Sequence, residues 1–156
     1  MRPASLRELK ILDTEPEERF DRITRLAAAL FNVPMALISL VDENRQWFKS
    51  CLGSNAKETP RDAAFCAHVI YSRKPMIVPD AFQDPRFADN PLVINDPRIR
   101  FYAGYPLILD NGSCIGTLCL LDTRPRTLEQ PDLERLHDFA DLALREVLAV
   151  TTRDLE

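Results

Sequence analysis

Between Arg61 and Asp122 the sequence alternates short apolar segments with one long polar stretch. RDAAFCAHVI is followed by PMIVPDAFQDPRFADNPLV, then RFYAGYPLIL, the turn DNGS, and CIGTLCLLD. Apolar runs of this length suit strands buried on both faces. The polar stretch places Asp84, Asn90 and Asp96 directly before Pro85, Pro91 and Pro97. A capping residue before proline starts a short helix or turn, because proline at the first helical position lacks only an N–H that would go unpaired. Three such starts predict a folded, irregular excursion over residues 80–99, and loops of that length are usually functional. A chain organised this way encloses a cavity more readily than it assembles a hydrolytic site.

The flanks complete the pattern. Residues 5–11 suggest a short first helix. Thr14 and Glu17 have the spacing of a capping box around Pro16, and Phe20, Ile23, Ala27 and Leu30 recur at helical spacing. Together they predict a helix over 16–31, stopped by Asn32 and Pro34. MALISLV at 35–41 reads as a central strand, Asp42-Glu43-Asn44 as a turn and RQWFKS at 45–50 as its hairpin partner. A polar loop is expected over 51–60, a helix over 62–73 with Phe65 and Val69 inward, and a short strand over 76–79. Asn111-Gly112 marks a hairpin turn between strands at 100–109 and 114–121. A last helix is expected over 128–154. The fold class is α+β, an antiparallel sheet with helices on at least one face.

One domain over residues 1–156 is the expectation, and a chain of that size buries roughly 70% of its unfolded surface without staples. The net charge of −4, with arginines interleaved among acids, argues against a nucleic-acid surface. No run reaches the roughly 18 apolar residues of a membrane span, and the N-terminal MRPASLRELKILD lacks a signal-peptide core. Cys51, Cys66, Cys114 and Cys119 form no close CxxC pair, so free thiols and a cytoplasmic location are expected. The terminal RDLE suggests a fragment of a longer protein.

ALISLVD with RQWFKS, AFCAHVI, VPDA with DPRFADNPLV, RFYAGYPL and GTLCLLD together resemble the GAF domains, in the form common in bacterial signalling proteins. The resemblance runs from ILDTEPEERF to PDLERL. It implies a GAF-like, PAS-related antiparallel sheet of five to six strands spanning 35–122. The terminal helices would pack on one face, and a pocket would lie on the other beneath residues 61–99. It also implies a sensory or regulatory role beside an output module such as a diguanylate cyclase, histidine kinase or phosphodiesterase. Bilin-binding members pair Cys directly with His, whereas here Ala67 separates Cys66 from His68. The family's cyclic-nucleotide signature is absent, as is the motif context of its free-methionine sulfoxide reductases. No cofactor, metal, nucleic acid or membrane is expected, and the chain is not expected to be an enzyme by itself. A dimerisation module without ligand and a thiol-based reductase are the alternatives.

The candidate ligand residues are Phe65, Cys66, His68, Asp80, Arg86, Phe87, Asn90, Tyr102 and Tyr105. Cys66 and His68, two apart on a helix, do not share a face, which disfavours a metal. Asp80, Asp84, Arg86, Asp89 and Asn90 could form a polar rim that reads a ligand, but local capping with an Asp–Arg pair holding the loop is favoured, since capping alone explains Asp84. Alternation puts Phe101 and Tyr105 on one sheet face and Tyr102 with Gly104 on the other. Gly104 marks a close approach, by a ligand or by a packed helix. Cys114 and Cys119, five apart on one strand, fall on opposite faces. Leu133, Leu136, Ala140, Ala143, Val147 and Val150 repeat at heptad spacing, so they form either a homodimer seam or one buried face.

Overall fold

The computed structural model describes residues 11–42, 44–60 and 65–155, with side chains described for 11–42, 44–59 and 65–149. The short helix expected over 5–11, Glu43 of the first turn, and the start of the 62–73 helix lie largely outside these residues. Helix α1 (Glu18–Phe31) leads to strands β1 (Met35–Val41), β2 (Arg45–Leu52) and β3 (Glu58–Pro60). Helix α2 (Cys66–Ser72) and strand β4 (Met76–Val78) lead into the 80–99 excursion, which holds a 3₁₀ turn (Ala81–Gln83) and the four-residue helix α3 (Pro91–Ile94). Strands β5 (Phe101–Ile108) and β6 (Cys114–Asp122) and the long helix α4 (Gln130–Leu155) follow.

The strands make one six-stranded antiparallel sheet in the order β3-β2-β1-β6-β5-β4. β1 and β6 are innermost, as their continuous hydrophobicity predicts. Ala36, Ile38, Leu40, Leu118 and Leu120 point to the face covered by α1 and α4. Met35, Leu37, Cys119 and Leu121 point to the opposite face, covered by α2 and the excursion. The α+β, GAF-like arrangement expected from the sequence is therefore present, with the terminal helices on one face. Segment 51–60 differs from the expected loop. Its first two residues extend β2, and its last three form the edge strand β3, which pairs with β2 through Arg45 and Pro60.

Asn32 ends α1 in the left-handed region, φ 55°, as its position predicted. The expected capping box does not form. Thr14 Oγ1 donates to the Ile11 carbonyl at 2.6 Å, and Glu17 is the N-cap without a capping side-chain bond. The reason is Lys49. The β1–β2 register shifts between Ile38 and Ser39, whose partners are Ser50 and Phe48, so Lys49 is the extra residue of a bulge. Its side chain is buried, and an ammonium has three hydrogens to place. They go to Thr14 Oγ1, the Glu15 carbonyl and the Glu17 carboxylate, each at 2.7 Å. Burial pushes the Glu17 carboxyl up, but the hydrogen bond and charge of Lys49, with Arg19, outweigh it and hold the group below its ordinary 4.5.

The heptad residues of α4 meet the chain's own sheet. Leu136, Ala140, Ala143 and Val147 are buried in the core formed with α1 and the sheet, and Leu133 is half-buried at its edge. Val150 lies beyond the described side chains. Of the two expectations for these residues, a homodimer seam or one buried face, this burial matches the second for Leu136, Ala140, Ala143 and Val147. Leu142, on the other side of α4, is 49% exposed.

Two outcomes follow from this packing. Leu136→Ala should lower the unfolding free energy by about 2–5 kcal/mol, while Leu142→Ala should stay within about 0.5 kcal/mol, measured by denaturant titration. Equal costs at both sites would contradict the assignment of the buried face. Because the folded Glu17 value is depressed, its contribution is complete above the ordinary glutamate range and lost as pH falls through the folded value. A Lys49→Met chain should show a shallower loss of stability in that acidic window.

Candidate functional site

The face opposite the terminal helices carries an aromatic stack. The Tyr102 and Phe65 rings lie 5.0 Å apart and nearly parallel at 15°. Phe65 meets Phe87 at 4.5 Å, and Phe87 meets the His68 ring edge-on at 4.9 Å. Each member comes from a different place: β5, the turn into α2, the excursion, and the outer side of α2. Phe65, Phe87 and Tyr102 are buried, whereas His68 is exposed.

What approaches Gly104 is Tyr102 itself. Both residues face the same side of β5, and a Cβ at position 104 would collide with the Tyr102 ring. The cross-strand partner of Gly104 is Cys119. Folding the phenol over Gly104 therefore carries its hydroxyl to Cys119 Sγ, at 3.3 Å. Cys66, at the start of α2, arrives from above with its Sγ 2.9 Å from Cys119 Sγ and 3.2 Å from Tyr102 Oη. Thr117, two residues before Cys119 and on the same face, places Oγ1 at 2.9 Å from Cys119 Sγ and 3.3 Å from Cys66 Sγ.

Two thiols and two hydroxyls thus share one buried cluster with no carboxylate or amine among them. The hydrogen bond from Cys119 lowers the Cys66 thiol against the opposing effect of burial, helped by Thr117 and Tyr102. Burial pushes Cys119 well up, and the neighbouring Cys66 adds to it. Burial, then the charges of the two sulfurs, also pushes Tyr102 well up. Cys51 and Cys114 lie outside the cluster, Cys51 on the wall of the cavity beside it, and burial raises both.

Beside this cluster is a cavity of about 150 Å³. Met35 and Leu37 of β1, Leu121 of β6 and Tyr102 of β5 form its floor. Phe65, Cys66, Leu92, Pro97 and Ile99 contribute from α2 and the excursion, and Gln46, Phe48 and Thr59 from the β2–β3 edge. Its wall is almost wholly apolar. The exception that stands out is Thr59 Oγ1, which is buried with no hydrogen-bond partner among the described residues. A wider groove of about 410 Å³ runs between α1 and β2. Its polar side chains already serve one another: Ser50 bridges Asp21 at 2.7 Å and Thr24 at 2.8 Å, and Lys49 is saturated as described. The smaller cavity is the better ligand site because, among the described residues, it pairs an apolar wall with a hydroxyl that lacks a hydrogen-bond partner.

Of the nine candidate ligand residues, Phe65, Cys66 and Tyr102 line this cavity. Phe87 and His68 support it through the stack. Asp80 accepts from the Phe82 N–H at 3.1 Å, capping the 3₁₀ turn, and Asn90 accepts from the Leu92 N–H at 2.8 Å, capping α3. Arg86 is held by Asp84 at 2.8 Å and lies over the Phe87 ring. These three residues therefore shape the excursion from outside. Tyr105 is corrected: it faces the α4 side, edge-on to His137 at 5.4 Å. Alternation from Tyr102 had already implied this, since residues three apart on a strand face opposite ways.

Sequence reasoning missed Thr59, Thr117 and Cys119. Thr117, Cys119 and Leu121 alternate on one face of β6, a signal available in the sequence. The pairing of Cys119 with Cys66, 53 residues away, was not.

The GAF domain family model matches residues 15–147. A cyclic di-GMP phosphodiesterase of Pseudomonas aeruginosa is 42% identical over 147 residues, covering 94% of this chain and 25% of that protein. The chain therefore spans about a quarter of the length of this curated relative. Among solved structures, the GAF domain of an Acinetobacter phosphoenolpyruvate-protein phosphotransferase has a TM-score of 0.69 at 17% identity, over 92% of this chain and 90% of that one. Free methionine-R-sulfoxide reductase from Neisseria meningitidis, in complex with its substrate, has a TM-score of 0.70 at 16% identity, over 94% and 86%. The expectation that the chain is not an enzyme is corrected by these findings. Its 42% identical relative is named as an enzyme, and its fold is also that of a reductase.

Gly104→Ala tests the geometry of the site. The added methyl group should force Tyr102 off its stack on Phe65, costing about 1–3 kcal/mol of stability and changing the near-ultraviolet circular dichroism of the aromatic cluster. A stable variant with an unaltered aromatic spectrum would show that Tyr102 does not depend on Gly104.

Proposed function

The chain belongs to the GAF domain family, and from that premise we propose that it is a regulatory domain that binds a small, mainly apolar molecule in the 150 Å³ cavity. The observation that carries this reading is Thr59 Oγ1, a buried hydroxyl without a hydrogen-bond partner among the described residues, in a mainly apolar wall. An unpaired buried polar group costs about 1–3 kcal/mol, and a ligand bearing one hydrogen-bonding group would remove that cost. The match of volume, apolar wall and single polar contact describes a compact ligand rather than a nucleotide.

Such a ligand would lie between the excursion and the central strands. It would favour whichever packing of β1 and β6 keeps the cavity open, and a ligand shifts an equilibrium only by binding one state better than the other. The opposite face of these strands holds α1 and α4. Arg126 supplies a second link: it pairs with Asp122 at the end of β6 and donates to the carbonyls of Phe31 and Asn32 at the end of α1. A change in β6 would thus be felt by a terminal helix. By the name of its 42% identical relative, we propose that the activity regulated is hydrolysis of a cyclic dinucleotide, the phosphodiesterase among the outputs that the resemblance implied.

The test is native mass spectrometry of the purified chain beside Thr59→Val. The parent should carry extra mass that is lost on denaturation, and the variant should carry less. Without ligand, the variant should be more stable than the parent by about 1 kcal/mol, because the orphan hydroxyl is gone. No bound mass together with an unchanged stability would overturn the proposal.

A further inference from the structure

Cys66 and Cys119 carry chemistry that ligand binding does not use. Their sulfurs are 2.9 Å apart, and roughly 0.9 Å of approach would bring them to disulfide distance. Both are free thiols. Both are embedded in hydrogen bonds with Thr117 and Tyr102. Cys66 also lines the cavity, which gives a small reagent a place to meet its sulfur.

We propose that Cys66 and Cys119 are a reversible dithiol–disulfide pair oxidised by a small peroxide that enters through the cavity. In the first step the Cys66 thiolate attacks one peroxide oxygen and the O–O bond breaks. Cys66 becomes a sulfenic acid, and the leaving hydroxide takes up the proton that the thiol had released, giving water. In the second step Cys119 Sγ attacks the Cys66 sulfur. The S–O bond breaks, the S–S bond forms, and the hydroxide leaves with the Cys119 proton as a second water. Two thiols and one hydrogen peroxide thus give one disulfide and two waters. The sulfurs lose two electrons and the peroxide gains them. A dithiol reductant reverses the change.

The surroundings suit each role. Thr117 and Tyr102 donate to Cys66, which supports a thiolate there, and Cys66 is the thiol of the pair that lines the cavity, which makes it the attacking group. Cys119 sits on β6, one of the two innermost strands, and is fully buried, and Cys66 is the one thiol beside it. Cys51, half-buried on the same cavity wall beside Ser54, is the control for access alone, and Cys114, half-buried away from the cavity, is the control for general exposure. The bond would tie α2 to β6 and fix one wall of the cavity. The proposal stands whether or not the cavity takes a ligand.

The experiment treats the reduced chain with hydrogen peroxide, quenches, unfolds and alkylates it, and maps peptides without reduction. Free thiols should fall from four to two, with a Cys66–Cys119 linked peptide as the product and a mass loss of two hydrogens. Dithiothreitol should restore all four. The pair should react roughly tenfold faster than Cys51 or Cys114. In Cys119→Ser, dimedone should trap a sulfenic acid at Cys66. The mapping on the parent chain needs no variant, so a misfolded Cys119→Ser would not decide the matter. Four persisting thiols, oxidation at Cys51 or Cys114 first, or Cys66 over-oxidised while Cys119 remains a thiol would each overturn the proposal.

Discussion

Everything in this molecule hangs on the β1–β6 pair being covered on both faces. Each strand sends alternate side chains into two separate cores, one under α1 and α4 and the other under α2 and the excursion. Burying an aliphatic side chain is worth about 1.5–3 kcal/mol, so neither layer can leave without exposing several. That mutual requirement is why α4 turns its heptad face inward, and why residues 80–99 fold at all although they contain little regular structure. The Asx caps and the Arg86–Asp84 pair satisfy the excursion's polar groups locally. Its apolar residues Val93 and Ile99 are then free to enter the second core.

The candidate site is a consequence of that layering. Antiparallel register sets Cys119 opposite Gly104, and the missing side chain at Gly104 admits the Tyr102 ring. The phenol then closes over the strand pair and meets two sulfurs. A cavity remains where the excursion and the β2–β3 edge fail to fill the space above Leu37 and Leu121. Ligand capacity and thiol proximity thus share a wall at Cys66. A regulatory domain with these two features would respond to chemistry on one face and express the response on the other, where the terminal helices lie.

Buried polar groups explain the local departures from simple sequence rules. Thr14 and Glu17 have capping-box spacing, yet the Lys49 ammonium claims both, since a buried charge must have all its hydrogens placed. Nothing near residues 14–17 announces that demand, because Lys49 reaches them only through a bulge in β2. Asn32, Asn90 and the Asn111-Gly112 turn obey their local rules, because in each the partner is a backbone group a few residues away.

By itself the sequence determined the order of elements, the inner strands, the fold class and the family. These depend on periodicity, capping and turn residues, which act over a few positions. It also singled out Phe65, Cys66 and Tyr102. It could not decide which face of α4 met the sheet, whether Asp80 and Asn90 lined a pocket or capped a turn, or which cysteine would find another. Those answers depend on pairs far apart in the chain, such as Cys66 with Cys119 and Lys49 with Glu17. Only the register of six strands and the layer folded over them bring such pairs together.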